Sequence, residues 1–353
     1  MRFWLSIFLL ISASGCGRFA ASRIAQAPNT YPEWLAPEAP VTVTFQPSLL
    51  ANFPTEYLHV TSPPARIRYC VIEPADYEFR WTNHLDEAQG KLDLEFTANV
   101  TNRATAGQDS ALIPSGGTVV LLHGYGVSGF AMLPWALLLA EQGWRCVLVD
   151  LRGHGGSTSE RVYFGTQELG DLRALLTQVQ QTHRIELPVS VLGHSFGAVL
   201  ALRWKLSDPR VGRVVAMSPY ADLGVAVQNI RRQYARWIPK SFIAAGLREL
   251  PRLLQAHPAE FHPACWIKNN LSEVLFVAGG SDVIATVDQV QKLHQLAGDG
   301  NEIMVLPRAA HETLPFYLDD LAQPVSHWLK QTIATLPPGA ETKTAASAEH
   351  SKP

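Results

Sequence analysis

VSVLGHSFGAVLAL, residues 189–202, carries an apolar run into Gly193-His194-Ser195-Phe196-Gly197 and resumes the apolar character on the far side. The first half is the unbroken Val and Leu run of a strand covered on both faces, and the second half suits a helix. A strand turning directly into a helix belongs to a parallel sheet with crossover connections. Gly193 and Gly197 stand on either side of Ser195. A turn tight enough to lift one side chain over a sheet edge needs small neighbours of that kind. A serine in this place is either a helix cap or a nucleophile, and the stretch by itself leaves both readings open.

Working outward, the same rhythm recurs. TVVLLHG at 118–124 precedes a helical pattern over 130–142, and RCVLVD at 145–150 precedes another over 167–182. RVVAMSP at 213–219 and EVLFVAGG at 273–280 read as further strands, and a helix at 287–298, the strand NEIMVLP and a helix over 314–333 follow. The alternation predicts an α/β protein with a doubly wound, mostly parallel sheet. From residue 223 to 268 the rhythm breaks, which predicts a helical cap inserted before the late strands. Upstream, RIRYCVIEP, YEFRWTN and KLDLEFTANV alternate as strands do and predict an antiparallel β region over 66–100. The expected organisation is a core of 65–222 and 269–335, a cap of 223–268 and a disordered tail of 336–353.

The N-terminus has its own character. Arg2, the apolar residues 3–11 and the small residues 12–15 read as a signal segment, far shorter than the roughly 20 residues that span a bilayer. ASGC at 13–16 resembles the bacterial lipobox, which implies cleavage before Cys16 and a lipid on it; an ordinary signal peptide is the alternative. Gly17 in place of Asp favours the outer membrane, so the expected location is the cell envelope, with the protein exported and facing the periplasm. Recurrent prolines over 18–64 predict a tether or extended segment. Without Cys16 three cysteines remain, too few for a complete disulfide framework, although one bridge between Cys70 and Cys265 would suit an exported chain.

A formal charge of −2 over 353 residues gives no whole-chain attraction to nucleic acid. Histidines are scattered without paired ligand spacing, and the glycine-rich turns lack a phosphate-binding lysine, so neither a metal nor a cofactor is expected. In open parallel sheets chemistry collects beyond the carboxyl ends of the strands. Those ends hold His123-Gly124-Tyr125-Gly126, Asp150 to Gly155, Ser195, Ser218, Asp282 and His311.

LLHGYG, DLRGHGGS, GHSFG, GGSDVI and AAHET, in that order, resemble the α/β-hydrolase family over roughly residues 117–333. The resemblance implies Ser195 as nucleophile, His311 as base and Asp282 as the acid orienting it. It implies an oxyanion hole from the backbone N–H groups of Tyr125 and Phe196. Asp222 competes for the acid, and His294 and His327 are the other histidines in the late region. The family members that open epoxides use an aspartate nucleophile, which Ser195 excludes here.

The expected reaction is hydrolysis of a small-molecule or lipid carboxylic ester through an acyl-enzyme. A thioesterase, an amidase, a peptidase or a non-catalytic binding protein with the same fold is the alternative. Trp237, Phe242 and Leu247 are expected to cover an acyl pocket from the cap. Seven basic residues against two acidic ones over 223–268 suit either an anionic lipid or a solvated face.

Overall fold

The computed structural model describes residues 16–30, 41–45, 47–50, 53–86, 91–101 and 116–331. The expected signal segment and tail lie outside the described residues. The strands are β1 (Val41–Phe45), β2 (Thr55–Thr61), β3 (Pro64–Ile72), β4 (Asp76–Asp86), β5 (Lys91–Thr101), β6 (Thr118–Leu122), β7 (Arg145–Val149), β8 (Val189–His194), β9 (Val211–Met217), β10 (Val274–Gly279) and β11 (Glu302–Leu306). The principal helices are α1 (16–24), α2 (Leu133–Glu141), α3 (Glu168–His183), α4 (Phe196–Ser207), α5 (Leu223–Tyr234), α6 (Lys240–Leu254), α7 (Val287–Ala297) and α8 (Leu318–Lys330).

Eight strands make one sheet in the order β11-β10-β9-β8-β6-β7-β3-β2. From β7 to β11 every neighbouring pair is parallel, and β3 alone runs against both of its neighbours. The unbroken Val and Leu runs are explained by burial on both faces. Val120, Val147, Val191, Val214 and Phe276 point into a core shared with α3, α4 and α7. Their chain neighbours Leu121, Leu148, Leu192, Val215 and Val277 point into a second core shared with α2 and α8. Because side chains alternate along a strand, such a sheet needs apolar residues at every position.

The chain leaves β6 toward β7 on one side and returns to β8 on the other. The connections after β6 and β8 therefore diverge and open a crevice between them, the usual position of a functional site in such sheets. Ser195 and Tyr125 follow these two strands.

Two sequence expectations change. The β region of 66–100 divides: β3 joins the main sheet, whereas β4 and β5 pair antiparallel in a separate three-stranded sheet completed by β1, parallel to β5. The segment expected as a tether contains regular elements among its described residues. β1 and β2 are strands, and residues 16–24 are helical. Gly17, Ala20, Ala21 and Ile24 recur at helical spacing, and this small face lets α1 lie close to α6. A methyl group placed on Gly246 would come within 2.8 Å of the Ala20 Cβ. Beyond α1, Gln26 bridges to Arg161, and the Val162 amide donates to the Ala25 carbonyl at 2.8 Å.

All four cysteines are unpaired; Cys70 is buried in β3 while Cys265 is exposed, so they form no bridge. Among the described residues no helix is long and apolar enough to cross a membrane.

Candidate active site

Ser195 sits between β8 and α4 with φ 52° and ψ −113°, a conformation that L-residues rarely adopt. Packing over-determines it. A Cβ on Gly193 would strike the Gly197 carbonyl, and one on Gly197 would strike the carbonyl oxygens of Leu122 and His123. Both glycines are thus required for α4 to start this close to β6 and β8. As the first residue of α4, Phe196 has an N–H without an intrahelical acceptor. Gly124 lies on the other side of Ser195: a Cβ there would stand 3.5 Å from the serine Cβ. The peptide leading into Tyr125 therefore borders Ser195.

His311, in the loop after β11, places Nε2 2.8 Å from Ser195 Oγ. Its Nδ1 lies 2.8 Å from Asp282 Oδ2. The other carboxylate oxygen, Oδ1, accepts from the Ile284 and Ala285 amides at 2.8 Å each. Burial by itself would raise the Asp282 pKa, but hydrogen bonds and the interaction with His311 hold it below the ordinary carboxylate value. The carboxylate therefore stays ionised, with a fixed orientation, and accepts from His311 Nδ1–H, which leaves Nε2 directed at the serine.

The competing residues are engaged elsewhere. Asp222 caps α5 by accepting from the Val225 amide at 2.9 Å, and its second oxygen pairs with His262 Nδ1 at 2.7 Å. His294 packs edge-on against Phe276, and His327 is exposed on α8.

Buried neutral imidazoles hold the loops around Ser195, Asp282 and His311. His194 Nε2 meets the His311 carbonyl at 2.9 Å, tying the residue before Ser195 to the loop of His311. Burial, reinforced by His311, pushes the His194 pKa down to about 3, so this ring stays neutral and donates. His123 accepts from the Leu151 amide at 3.0 Å through Nε2 and contacts the Gly124 carbonyl at 2.7 Å through Nδ1. His154, also pushed down to about 3, chiefly by burial, lies between the Tyr125 and Phe196 rings. Asp150 gathers the adjoining turns, accepting from Gly129 at 2.7 Å, from Gly156 at 2.6 Å and from the Arg68 guanidinium at 2.5 Å.

The three cap residues expected over an acyl pocket are not gathered there. Trp237 is 82% exposed at the turn between α5 and α6, which does not suit a pocket wall. Phe242 meets Phe19 of α1 edge-on, with ring centroids 6.3 Å apart. Leu247 packs against Gly224 and the core. The expectation missed that α1 occupies this flank of the cap.

Two other contacts also escaped the sequence. Tyr234, at the end of α5, donates its hydroxyl to Glu312, the neighbour of His311. Arg203 of α4 pairs with Glu260 of the cap. Both join residues far apart in the chain, and no local pattern announces them. Among the described residues no group of three or more His, Cys, Asp or Glu side chains could hold a metal ion.

This sheet order, with a serine at a strand-to-helix turn beside the switch point, is the α/β-hydrolase fold. Residues 114–269 match the family described as Hydrolase_4: Serine aminopeptidase, S33. That stretch includes Tyr125 and Ser195 and ends before Asp282 and His311. Epoxide hydrolase B of Mycobacterium tuberculosis is 33% identical over 128 residues, 35% of this chain and 35% of that protein. Phospholipase YtpA of Bacillus subtilis is 27% identical over 115 residues, 31% of this chain and 43% of that one. The chain spans about a third of the length of most curated relatives it matches. Among solved structures, an esterase of Pyrococcus furiosus superposes with a TM-score of 0.56 at 19% identity, covering 82% of this chain and 95% of that one. The hydrolase GrgF of a Penicillium species also gives 0.56, at 14% identity, covering 80% and 99%. At these identities the likeness is one of fold.

Proposed function

We propose that the protein is a serine hydrolase that cleaves carboxylic esters through an acyl-enzyme. The observation that carries the reading is the chain Ser195 Oγ, His311 Nε2, His311 Nδ1, Asp282 Oδ2, with 2.8 Å at each hydrogen bond. His311 takes the serine proton as Oγ attacks the acyl carbon, and the negative charge moves to the former carbonyl oxygen. The amides of Tyr125 and Phe196 face that oxygen, where one lost donor typically costs about 3 kcal/mol of transition-state stabilisation. The intermediate collapses as His311 returns the proton to the departing alcohol. Water then attacks the acyl-serine by the same route and frees the acid. The phospholipase relative supports an acyl ester; the aminopeptidase description of the matched family supports a peptidase on the same triad.

Labelling with a fluorophosphonate, followed by a panel of esters, thioesters and aminoacyl amides, tests the proposal. The protein should label, Ser195→Ala should not, and esters should turn over fastest. Failure of the wild type to label overturns the hydrolase reading, and preferred cleavage of amides overturns the ester assignment.

The lipid on Cys16 and the outer-membrane location belong to the same proposal. Cys16 is exposed, as an attachment site requires. Cys16→Ser should release the protein from the membranes of producing cells, and its retention in the washed membrane fraction would contradict an anchor.

A further inference from the structure

Among the described residues, the face formed by α1 and the turn between α5 and α6 carries the two most exposed large hydrophobic side chains. Trp237 is 82% exposed and Phe19 is 60% exposed, both high for large aromatic side chains, and Ile230 and Tyr234 are partly exposed on the same cap helix. Soluble surfaces do expose single apolar residues, but a projecting tryptophan among arginines suits a boundary between water and an apolar phase.

Trp237 does not project by accident of a loose loop. Arg231 turns inward and donates to the carbonyl oxygens of Arg236 at 3.4 Å and Ile238 at 2.9 Å, closing the turn from within. Arg236 donates to the Arg232 carbonyl at 2.7 Å, and Gln228 reaches the Lys240 carbonyl at 3.3 Å. The turn is built, and what it presents is the indole.

Charge follows the same geography. Arg232, Arg236 and Lys240 flank Trp237 in RRQYARWIPK and are exposed. Arg232 and Arg236 make their hydrogen bonds to Asn229 and a backbone carbonyl, not to carboxylates. The two cap acids are engaged: Glu260 pairs with Arg203, and Glu249 lies 3.5 Å from Arg252. The start of α1 meets this face as well. Phe19 packs on Phe242, two residues past Lys240, and Gly17 rests on Ala245 and Glu249.

We infer that the face of α1 and the α5–α6 turn docks on an anionic phospholipid bilayer, with Trp237 and Phe19 in the headgroup layer and Arg232, Arg236 and Lys240 on lipid phosphates. Amphipathic interfacial binding draws on this pair of contributions, buried apolar area and attraction between basic side chains and anionic lipid. Docking in this orientation sets Cys16 beside the bilayer and brings the cap, whose Tyr234 holds the Glu312 loop, against it. The inference goes beyond the proposed reaction and does not depend on turnover.

The test uses the full chain carrying Ser195→Ala and Cys16→Ser, so that neither hydrolysis nor a lipid anchor contributes. It is mixed with sedimenting vesicles of phosphatidylglycerol and phosphatidylethanolamine, or of phosphatidylcholine alone. Binding should be seen with the anionic vesicles and weaken steeply with salt. Arg232→Ala and Arg236→Ala should each lose about fivefold, the worth of one basic residue near an anionic surface. Trp237→Ala should lose affinity that salt does not restore, while Lys330→Ala, on α8, should bind as before. Vesicle binding that ignores the Trp237 and arginine substitutions overturns the inference. So does absence of binding to either vesicle type, which would assign the face to a protein partner. Hydrolase failure would leave this outcome unaffected, because binding is read in the Ser195→Ala background.

Discussion

At the scale of single residues, the two candidate acids differ in their partners. Asp282 has one oxygen on His311 and the other on two amides, whereas Asp222 is spent on the α5 cap and His262. Asp282→Asn should therefore lower kcat by about 10³- to 10⁴-fold, since the amide no longer holds the tautomer the base needs. Asp222→Ala should leave the chemical step within a fewfold and lower stability by about 1 kcal/mol through the lost cap. Steady-state kinetics with a chromogenic ester read the difference, and equal losses in the two variants would contradict the assignment. Gly197→Ala sets a methyl group against two backbone carbonyls that cannot rotate away. It should cost about 3 kcal/mol in urea unfolding, at the upper end for overpacking, and lose activity with it. The Gly193-His194-Ser195-Phe196-Gly197 turn was legible in the sequence because its demands are local: small neighbours, a strand before it and a helix after it. The acid was legible only through the order of the motifs, which favoured Asp282, because Asp222 and Asp282 both follow strands and both suit helix caps.

At the scale of elements, the informative case is α1. Recurrent prolines suggested an extended tether, yet the first described residues form a helix seated on α6 through Ala20 and Gly246. Ala20, Ala21, Ala25 and Ala27 are fully buried. The spacing of Gly17, Ala20, Ala21 and Ile24 was present in the sequence, but a stripe of small residues has meaning only beside the surface that receives it. Gly246→Leu should displace α1. Hydrogen exchange of residues 16–30 should rise at least tenfold while exchange in β6 and β8 stays unchanged. Unaltered protection over 16–30 would show that α1 is held by something other than this contact. Tyr234 joins the cap to the His311 loop in the same long-range manner. Tyr234→Phe should reduce turnover severalfold with little change in the unfolding midpoint, and unchanged kinetics would exclude a role for this contact in placing the His311 loop.

At the scale of the whole molecule, the fold keeps several imidazoles neutral in its interior, and this couples stability to pH. His154 and His194 have values near 3 in the folded state, against about 6.5 for an unperturbed histidine. Below pH 6.5 the unfolded chain takes up protons that the folded chain refuses, so this contribution is largest at neutral pH and is lost as the pH falls toward 3. At pH 5.5 each ring costs about 1 kcal/mol. Buried Glu168, raised chiefly by burial, acts with the opposite sign, so the clean measurement is a comparison. Between pH 7.5 and 5.5 the urea midpoint of the wild type should fall more than that of His154→Gln, and parallel midpoints would contradict a neutral buried His154.

The sequence by itself determined the alternation of strands and helices, the mostly parallel sheet and the set of residues at the strand ends, because each follows from short-range rules of periodicity and turn geometry. Only the tertiary structure decided which of those residues meet, that β4 and β5 leave the main sheet, and that the segment after Cys16 covers the cap. Those outcomes depend on close approach between distant parts of the chain, where a carbonyl facing Gly197 or an alanine facing Gly246 settles what local pattern leaves open.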